Sequence, residues 1–290
     1  MKLKVFEKGF NYSQDGPGNR LVFHLQGCNM HCPWCANPEG MHASAPIMTD
    51  QKLICDELCP KGAIANRVLD RTMCESCGDR PCLTLNRSKG IFVKCEHLDV
   101  SDVISQVHGA SPMFFDGGGV TFTGGEPTMQ FEPLKAVLQK LHGEGINTAL
   151  ETNGTYPLLP SLFPFIDNLM MDLKLAVPAR HLAVTGVPCD NIFANIRAAV
   201  NSGKKVNVRI PLVNGYNCDE ENALATAEFL SSLDKDLFTV ELLTFHDFGR
   251  VKWQQCGYDY TMTDDAYVPA QSLKFFSDIM KQNSFNLIKT

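Results

Sequence analysis

Residues 27–35 read GCNMHCPWC, and this stretch decides how the rest of the chain is read. Cys28, Cys32 and Cys35 fall within eight residues, with no fourth cysteine nearby. A closed zinc site takes four ligands, so one of His24, His31 or His42 would have to complete it. A [4Fe–4S] cluster also takes thiolates at close spacing. Held by three of them, it leaves one iron open to a substrate. The stretch directly follows LVFHLQ (21–26), a short apolar run that reads as a strand ending at Gly27.

Further strands are expected at 119–123 (GVTFT), 146–151 (INTALE), 168–173 (NLMMDL), 205–210 (KVNVRI) and 238–243 (FTVELL). Helical patterns alternate with them. In 131–142, Phe131, Leu134, Val137, Leu138 and Leu141 share one face, and Gly143 and Gly145 supply a stop. Segments 192–202 and 219–233 are also helical, the second opening on acids that suit the helix dipole. Weaker helical patterns occupy 99–108 and 270–282. Six strands, most followed by a helix, imply parallel pairing with right-handed crossovers, as an open sheet or a barrel.

The stretch 46–97 breaks this rhythm. It holds six cysteines and no long periodic segment, and it reads as an insert between the first strand and its helix. The expected division is therefore a core of 1–45 with 98–290, and a small domain of 46–97. The core is then roughly 240 residues, a natural size for a barrel. Polar motifs fall at equivalent strand ends: Cys28–Cys35, Gly124-Gly125-Glu126-Pro127, Glu151-Thr152-Asn153-Gly154, Asp172 with Lys174, Arg209 and His246. In barrels the C-terminal strand ends form the mouth where active sites lie.

The 290 residues are 44% apolar and 20% charged, ordinary for a globular chain with a sizeable core. A net charge of −6 argues against nucleic-acid binding, which needs a basic face. No apolar run approaches the ~18 residues of a membrane span. The start MKLKVFEKGF has no apolar signal region, so a cytoplasmic location is expected. Nine of the 12 cysteines lie between Cys28 and Cys95, and a cytoplasmic chain would not hold them as disulfides. Cys189, Cys218 and Cys256 are scattered and read as plain thiols.

The 27–35 stretch resembles the C-x3-C-x-aromatic-C signature of radical S-adenosylmethionine (radical SAM) enzymes. DGPGNR (15–20) resembles the opening of glycyl-radical-enzyme activating enzymes such as pyruvate formate-lyase activase. The likeness continues through TGGEP (123–127), ETNG (151–154), MMDLK (170–174) and LLTFHDFGRVKW (242–253). It covers nearly all of the chain outside the insert. It implies a partial (β/α)6 TIM-like barrel in the α/β class, carrying a small ferredoxin-like iron–sulfur insert.

The resemblance also implies roles. Cys28, Cys32 and Cys35 would ligate three irons, and SAM would chelate the fourth. One electron would then cleave SAM to methionine and a 5′-deoxyadenosyl radical. SAM would be bound by Gly124, Gly125, Glu126, Pro127, Glu151, Asn153, Asp172, Lys174, Arg209 and His246. Trp34 would lie beside the adenine, or simply pack at the barrel mouth. The two glycines would let backbone carbonyls approach the ligand. Glu151, Thr152, Asp172 and the Met170 carbonyl match positions that hold a monovalent cation in pyruvate formate-lyase activase, with Glu151 in place of an aspartate.

In the insert, Cys59-Pro60 looks like the end of a bacterial ferredoxin motif, whose fourth cysteine ligates the other cluster. Counting back from Cys59 finds Cys55, then Lys52 and Thr49, where cysteines would stand. The second motif keeps Cys74, Cys77 and Cys82, and its fourth position is Asn86. One auxiliary [4Fe–4S] cluster on Cys59, Cys74, Cys77 and Cys82 is expected, with Cys55 and Cys95 in reserve. A zinc ribbon is the alternative.

The expected activity is abstraction of a glycine Cα hydrogen from a partner glycyl radical enzyme, by a monomer that receives electrons from a low-potential flavodoxin or ferredoxin. A radical SAM enzyme acting on a small molecule or peptide is the alternative. A non-enzymatic electron carrier or zinc module would carry zinc without iron or sulfide.

Overall fold

The computed structural model describes residues 1–85 and 90–289; Asn86 lies outside them. One long sheet organises the chain. Its strands are β1 (Lys2–Tyr12), β2 (Asn19–Leu25), β3 (Glu96–Asp99), β4 (Gly119–Gly124), β5 (Thr148–Thr152), β6 (Asn168–Asp172), β7 (Val206–Leu212), β8 (Phe238–Thr244) and β9 (Leu287–Ile288). The spatial order is β9-β8-β7-β6-β5-β4-β2-β1-β3. From β2 to β9 every neighbouring pair is parallel, whereas β1 runs antiparallel to both β2 and β3. The expected six-stranded parallel core is present as β2 and β4 to β8.

Three strands of this sheet were not expected from the sequence. β1 places Leu3 and Val5 inward between the lysines Lys2 and Lys4, a half-buried alternation. β3 and β9 are too short to carry a period.

The helices α1 (Val100–Ala110), α2 (Phe131–Gly143), α3 (Pro178–Thr185), α4 (Asp190–Asn201), α5 (Glu220–Ser231), α6 (Arg250–Cys256) and α7 (Ala270–Gln282) cover the sheet. α3 and α6 are short and escaped the periodicity. α2 buries Phe131, Leu134, Val137, Leu138 and Leu141, the face read from its spacing. Asp219 caps α5 by accepting from the Asn222 N–H at 3.0 Å. The main core runs the length of the sheet, with Phe23 and Phe122 stacked at 5.6 Å on β2 and β4.

The turn between β1 and β2 folds beneath the sheet's interior. Arg20, fully buried, pins it: Nη1 donates to the Pro17 carbonyl at 3.1 Å, and Nη2 to those of Val120 and Asn147. Burial lowers its pKa to about 10, so the price of burial is met by carbonyl acceptors rather than a close carboxylate.

Residues 46–97 leave the core through two-residue pairings, Met48–Thr49 with Ile91–Phe92, and rejoin the sheet at β3. They carry their own apolar cluster, centred on Ile54, Leu58, Ile64, Cys74, Cys82 and Ile91. Among the described residues, no helix is long and apolar enough to cross a membrane.

Candidate active site

A cleft of about 690 Å³ opens at the C-terminal ends of the parallel strands. Cys28, Cys32 and Cys35 line one wall. The loop that carries them is fixed by backbone bonds to the segment that follows: Gly27 N–H donates to Gly40 and Cys28 N–H to Met41, at 2.9 and 3.0 Å. Gln26 donates to the Glu39 and His42 carbonyls. From α6, Trp253 Nε1 donates to the Cys35 carbonyl at 2.8 Å. Burial pushes the Cys28 and Cys35 thiols up to about 12, and Cys32 in the same direction. Burial thus favours the protonated thiols, and metal binding here would release their protons.

Thr123, Gly124 and Gly125 form the adjacent wall. Their glycines answer to the neighbouring backbone as much as to any ligand, Gly124 to the end of β2 and Gly125 to the start of the cysteine loop. A Cβ on Gly124 (φ +120°) would sit 2.3 Å from the Leu25 nitrogen, and one on Gly125 would sit 2.3 Å from the Gly27 carbonyl oxygen. Glu126 and Pro127 do not line the cleft. Glu126 is fully buried behind it, accepting from the Thr128 N–H at 3.0 Å, the Thr152 hydroxyl at 2.7 Å and the Asn153 N–H at 2.7 Å. Burial pushes its carboxyl up, against the pull of these donors. Glu126 thus ties the end of β4 to the end of β5.

Asn153 does line the cleft. Its side chain donates to Asn29 at 2.9 Å and approaches Cys28 Sγ at 3.9 Å. Asp172 and Lys174 point the same way past the end of β6, as residues two apart do, and form an ion pair at 2.6 Å. Burial opposes the Lys174 charge, but Asp172 and the nearby Cys32 outweigh it and raise its pKa. Trp34 both lines the cleft and packs edge-on against Tyr216 at 5.3 Å. His246 lines the far side, its ring stacked on Phe248 at 4.3 Å.

Arg209 is placed differently from its expected strand-end position. β7 continues to Leu212, because β6 ends at Asp172, level with Arg209, and the missing N–H of Pro211 falls beyond it. Arg209 is buried beneath the cleft. Nε donates to Glu241 and Nη1 to Glu151, both at 2.8 Å, and Nη2 reaches the Gln14 carbonyl. Pro211 and Val213 face the cleft instead.

The donors matched to a monovalent cation are likewise committed. Glu151 pairs with Arg209, Asp172 with Lys174, and the Thr152 hydroxyl donates to Glu126. Met170 lines a separate cavity below. Each of the three side-chain donors thus already has a protein partner. Among the described residues, no three His, Cys, Asp or Glu side chains converge as for a single metal ion. An iron–sulfur cluster makes a different demand, since each thiolate takes its own iron.

In the insert, Cys59, Cys74, Cys77 and Cys82 line one cavity of about 190 Å³, closed by Leu69, Met73 and Ile91. Asp70 caps the short helix carrying Cys74 by accepting from the Met73 N–H at 3.0 Å. Cys55 and Cys95 do not line it. Four thiols lining one cavity match the number of ligands a four-iron cluster takes.

Sequence reasoning missed several cleft residues. Gln14 forms the floor with Asp15, which had entered only as part of the DGPGNR stretch, and His24, weighed only as a zinc ligand, stands on β2 with its ring against Phe6. His24, a polar residue within an apolar strand, was the available signal. Glu241, a charged residue within the apolar run 238–243, carried the same signal, and Asn37 gave none.

A family model described as the radical SAM superfamily matches residues 22–227. The 4-hydroxyphenylacetate decarboxylase activating enzyme of Clostridioides difficile is 30% identical over 286 residues, covering 93% of this chain and 90% of its own. The benzylsuccinate synthase activating enzyme of Thauera aromatica is 29% identical over 307 residues, covering 97% and 91%. A radical SAM methyltransferase from Sphaerobacter thermophilus, 15% identical, covers 96% of this chain and 67% of its own with a TM-score of 0.57, and so shares the fold.

Proposed function

This chain belongs to the radical SAM superfamily and, within it, to the activating enzymes of glycyl radical enzymes; on that premise we propose how its residues divide the work. The family brings a [4Fe–4S] cluster and SAM, and a glycyl radical enzyme as protein substrate. When bound, the reduced cluster supplies the electron that cleaves SAM to methionine and a 5′-deoxyadenosyl radical, which takes a hydrogen from a glycine Cα of the partner.

Cys28, Cys32 and Cys35 hold this cluster, leaving one iron for SAM. The wall of Thr123, Gly124 and Gly125 offers backbone acceptors to the amino group of SAM. Lys174, oriented by Asp172, takes its carboxylate. Trp34 and His246 enclose the nucleoside side. Glu126 and Arg209 act from behind, Glu126 by fixing Thr152 and Asn153, Arg209 by fixing Glu151 and the floor at Gln14. No general base is assigned, because hydrogen-atom transfer needs none.

Residues 46–97 form the ferredoxin-like domain, with a second [4Fe–4S] cluster on Cys59, Cys74, Cys77 and Cys82. A low-potential flavodoxin or ferredoxin supplies the electron to a cytoplasmic monomer. The monovalent cation has no part in this reading.

The observation that carries the reading is the meeting of the three-cysteine loop with four strand-end motifs in one cleft. Anaerobically reconstituted enzyme given SAM and titanium(III) citrate is expected to release 5′-deoxyadenosine, and Cys32→Ala to release none. A fully loaded enzyme that leaves SAM intact would overturn it.

A further inference from the structure

The insert meets the end of α6 and the segment around His42 across a groove of about 490 Å³, lined among others by Ile47, Arg71, Cys74, His42 and Tyr258. Cys74 belongs to both the groove and the insert cavity. Three residues before it, Arg71 crosses the groove. It donates to the Ile47 carbonyl at 2.8 Å and to the Gln255 carbonyl on α6 at 3.0 Å, which fixes the insert against the core.

From Tyr258 the contacts run to the cleft without a gap. The Tyr258 N–H donates to the Trp253 carbonyl at 3.0 Å, and the two rings lie 6.1 Å apart. The Trp253 indole then donates to the Cys35 carbonyl. A second contact runs from Tyr258 to His42 at 5.3 Å and on to His31, between Cys28 and Cys32, at 6.1 Å. Tyr258, Trp253 and Cys74 do not line the cleft, so this route avoids the mouth that a protein substrate must cover.

We propose that Tyr258 and Trp253 bridge one-electron transfer from the insert's iron–sulfur cluster at Cys74 to the cleft cluster at Cys35. The proposal rests on the reading that the insert holds a cluster. A low-potential one-electron donor reduces the insert cluster, which is reoxidised as the cleft cluster is reduced. No bond forms or breaks, no proton moves, and the aromatic rings keep their own oxidation state. Tunnelling weakens exponentially with distance and more steeply across empty space than through bonded and packed atoms. Cys74 and Tyr258 line the same groove, and removing the Tyr258 ring widens it.

The test uses the anaerobic holoenzyme mixed with reduced ferredoxin and frozen at intervals for electron paramagnetic resonance, which resolves the two reduced clusters when SAM is bound. In Tyr258→Leu the insert cluster is expected to reduce at the parent rate and the cleft cluster an order of magnitude more slowly. Tyr258→Phe, which keeps the ring, is expected to restore the parent rate. Iron content of about eight per chain, SAM affinity and both midpoint potentials are expected to hold in all three proteins. Parent-like reduction of the cleft cluster in fully loaded Tyr258→Leu would overturn the relay alone. A parent enzyme binding only about four irons per chain would overturn the insert cluster and the relay together.

Discussion

Arg209 Nη1 lies 2.8 Å from Glu151 Oε1, reaching from β7 to β5 across the whole width of β6. Nε holds Glu241 on β8 at the same distance. One guanidinium therefore joins three strands, β5, β7 and β8, across the intervening β6 beneath the cleft. Planar, multi-donor pairing of this kind is what arginine does and lysine does not. Arg209→Ala would leave two carboxylates enclosed without their cation, and is expected to cost about 3–5 kcal/mol. Arg209→Ala/Glu241→Gln should recover part of this loss. Denaturant midpoints measured anaerobically check both, and an unchanged midpoint in the single variant would contradict the brace.

The same pairing bears on alkali-metal dependence. With Glu151 held by Arg209 and Asp172 by Lys174, exchange of potassium for tetramethylammonium is expected to leave SAM affinity unchanged in equilibrium titration. A tenfold loss would show that a cation displaces these pairs.

The two cysteine sets should separate in metal analysis. Cys28→Ala is expected to lower iron from about eight to about four per chain and to abolish SAM cleavage. Cys77→Ala is expected to lose a similar amount of iron while retaining SAM cleavage with titanium(III) citrate, which reaches the cleft directly. Loss of all iron in either variant would mean that the sites do not fold independently.

Acid sensitivity should have a contribution from His181. Its ring is fully buried on α3, with Nδ1 2.8 Å from the Val187 carbonyl and Nε2 without a hydrogen-bond partner. The carbonyl fixes the proton on Nδ1, and burial pushes the pKa below the usual histidine value. As pH falls below ~6.5 the unfolded chain takes up a proton that the folded chain refuses. Stability is therefore present above that range and is lost as pH falls through it. The slope approaches about 1.4 kcal/mol per pH unit. His181→Gln is expected to flatten the difference in midpoint between pH 7.5 and 5.5. Equal slopes in parent and variant would remove His181 from the account.

The core strands were legible because each is a short apolar run closed by a polar motif, and α2 because five apolar residues repeat at helical spacing. β1 carried its alternation openly, Leu3 and Val5 between lysines, but its antiparallel pairing to β2 and β3 lies outside the βα rhythm. Arg209 was misplaced because the apolar run was read as ending at 210, whereas β7 continues through Pro211 to Leu212. Only the shorter β6 beside it makes proline harmless there. The glycines of 124–125 were recognised, while one of their causes, the backbone of the cysteine loop within van der Waals reach, is a tertiary contact that no spacing encodes. Cys59, Cys74, Cys77 and Cys82 were selected by ferredoxin spacing and line one cavity. The commitment of Glu151 to Arg209 was hidden, because those residues lie far apart in the sequence on strands that are not neighbours.

The most direct measurement is electron paramagnetic resonance of a glycyl radical enzyme from the same genome, incubated anaerobically with this enzyme, SAM and reductant. A carbon-centred glycyl doublet is expected, formed together with 5′-deoxyadenosine and absent with Cys32→Ala. Cleavage of SAM with no radical on any such partner would contradict the activating function.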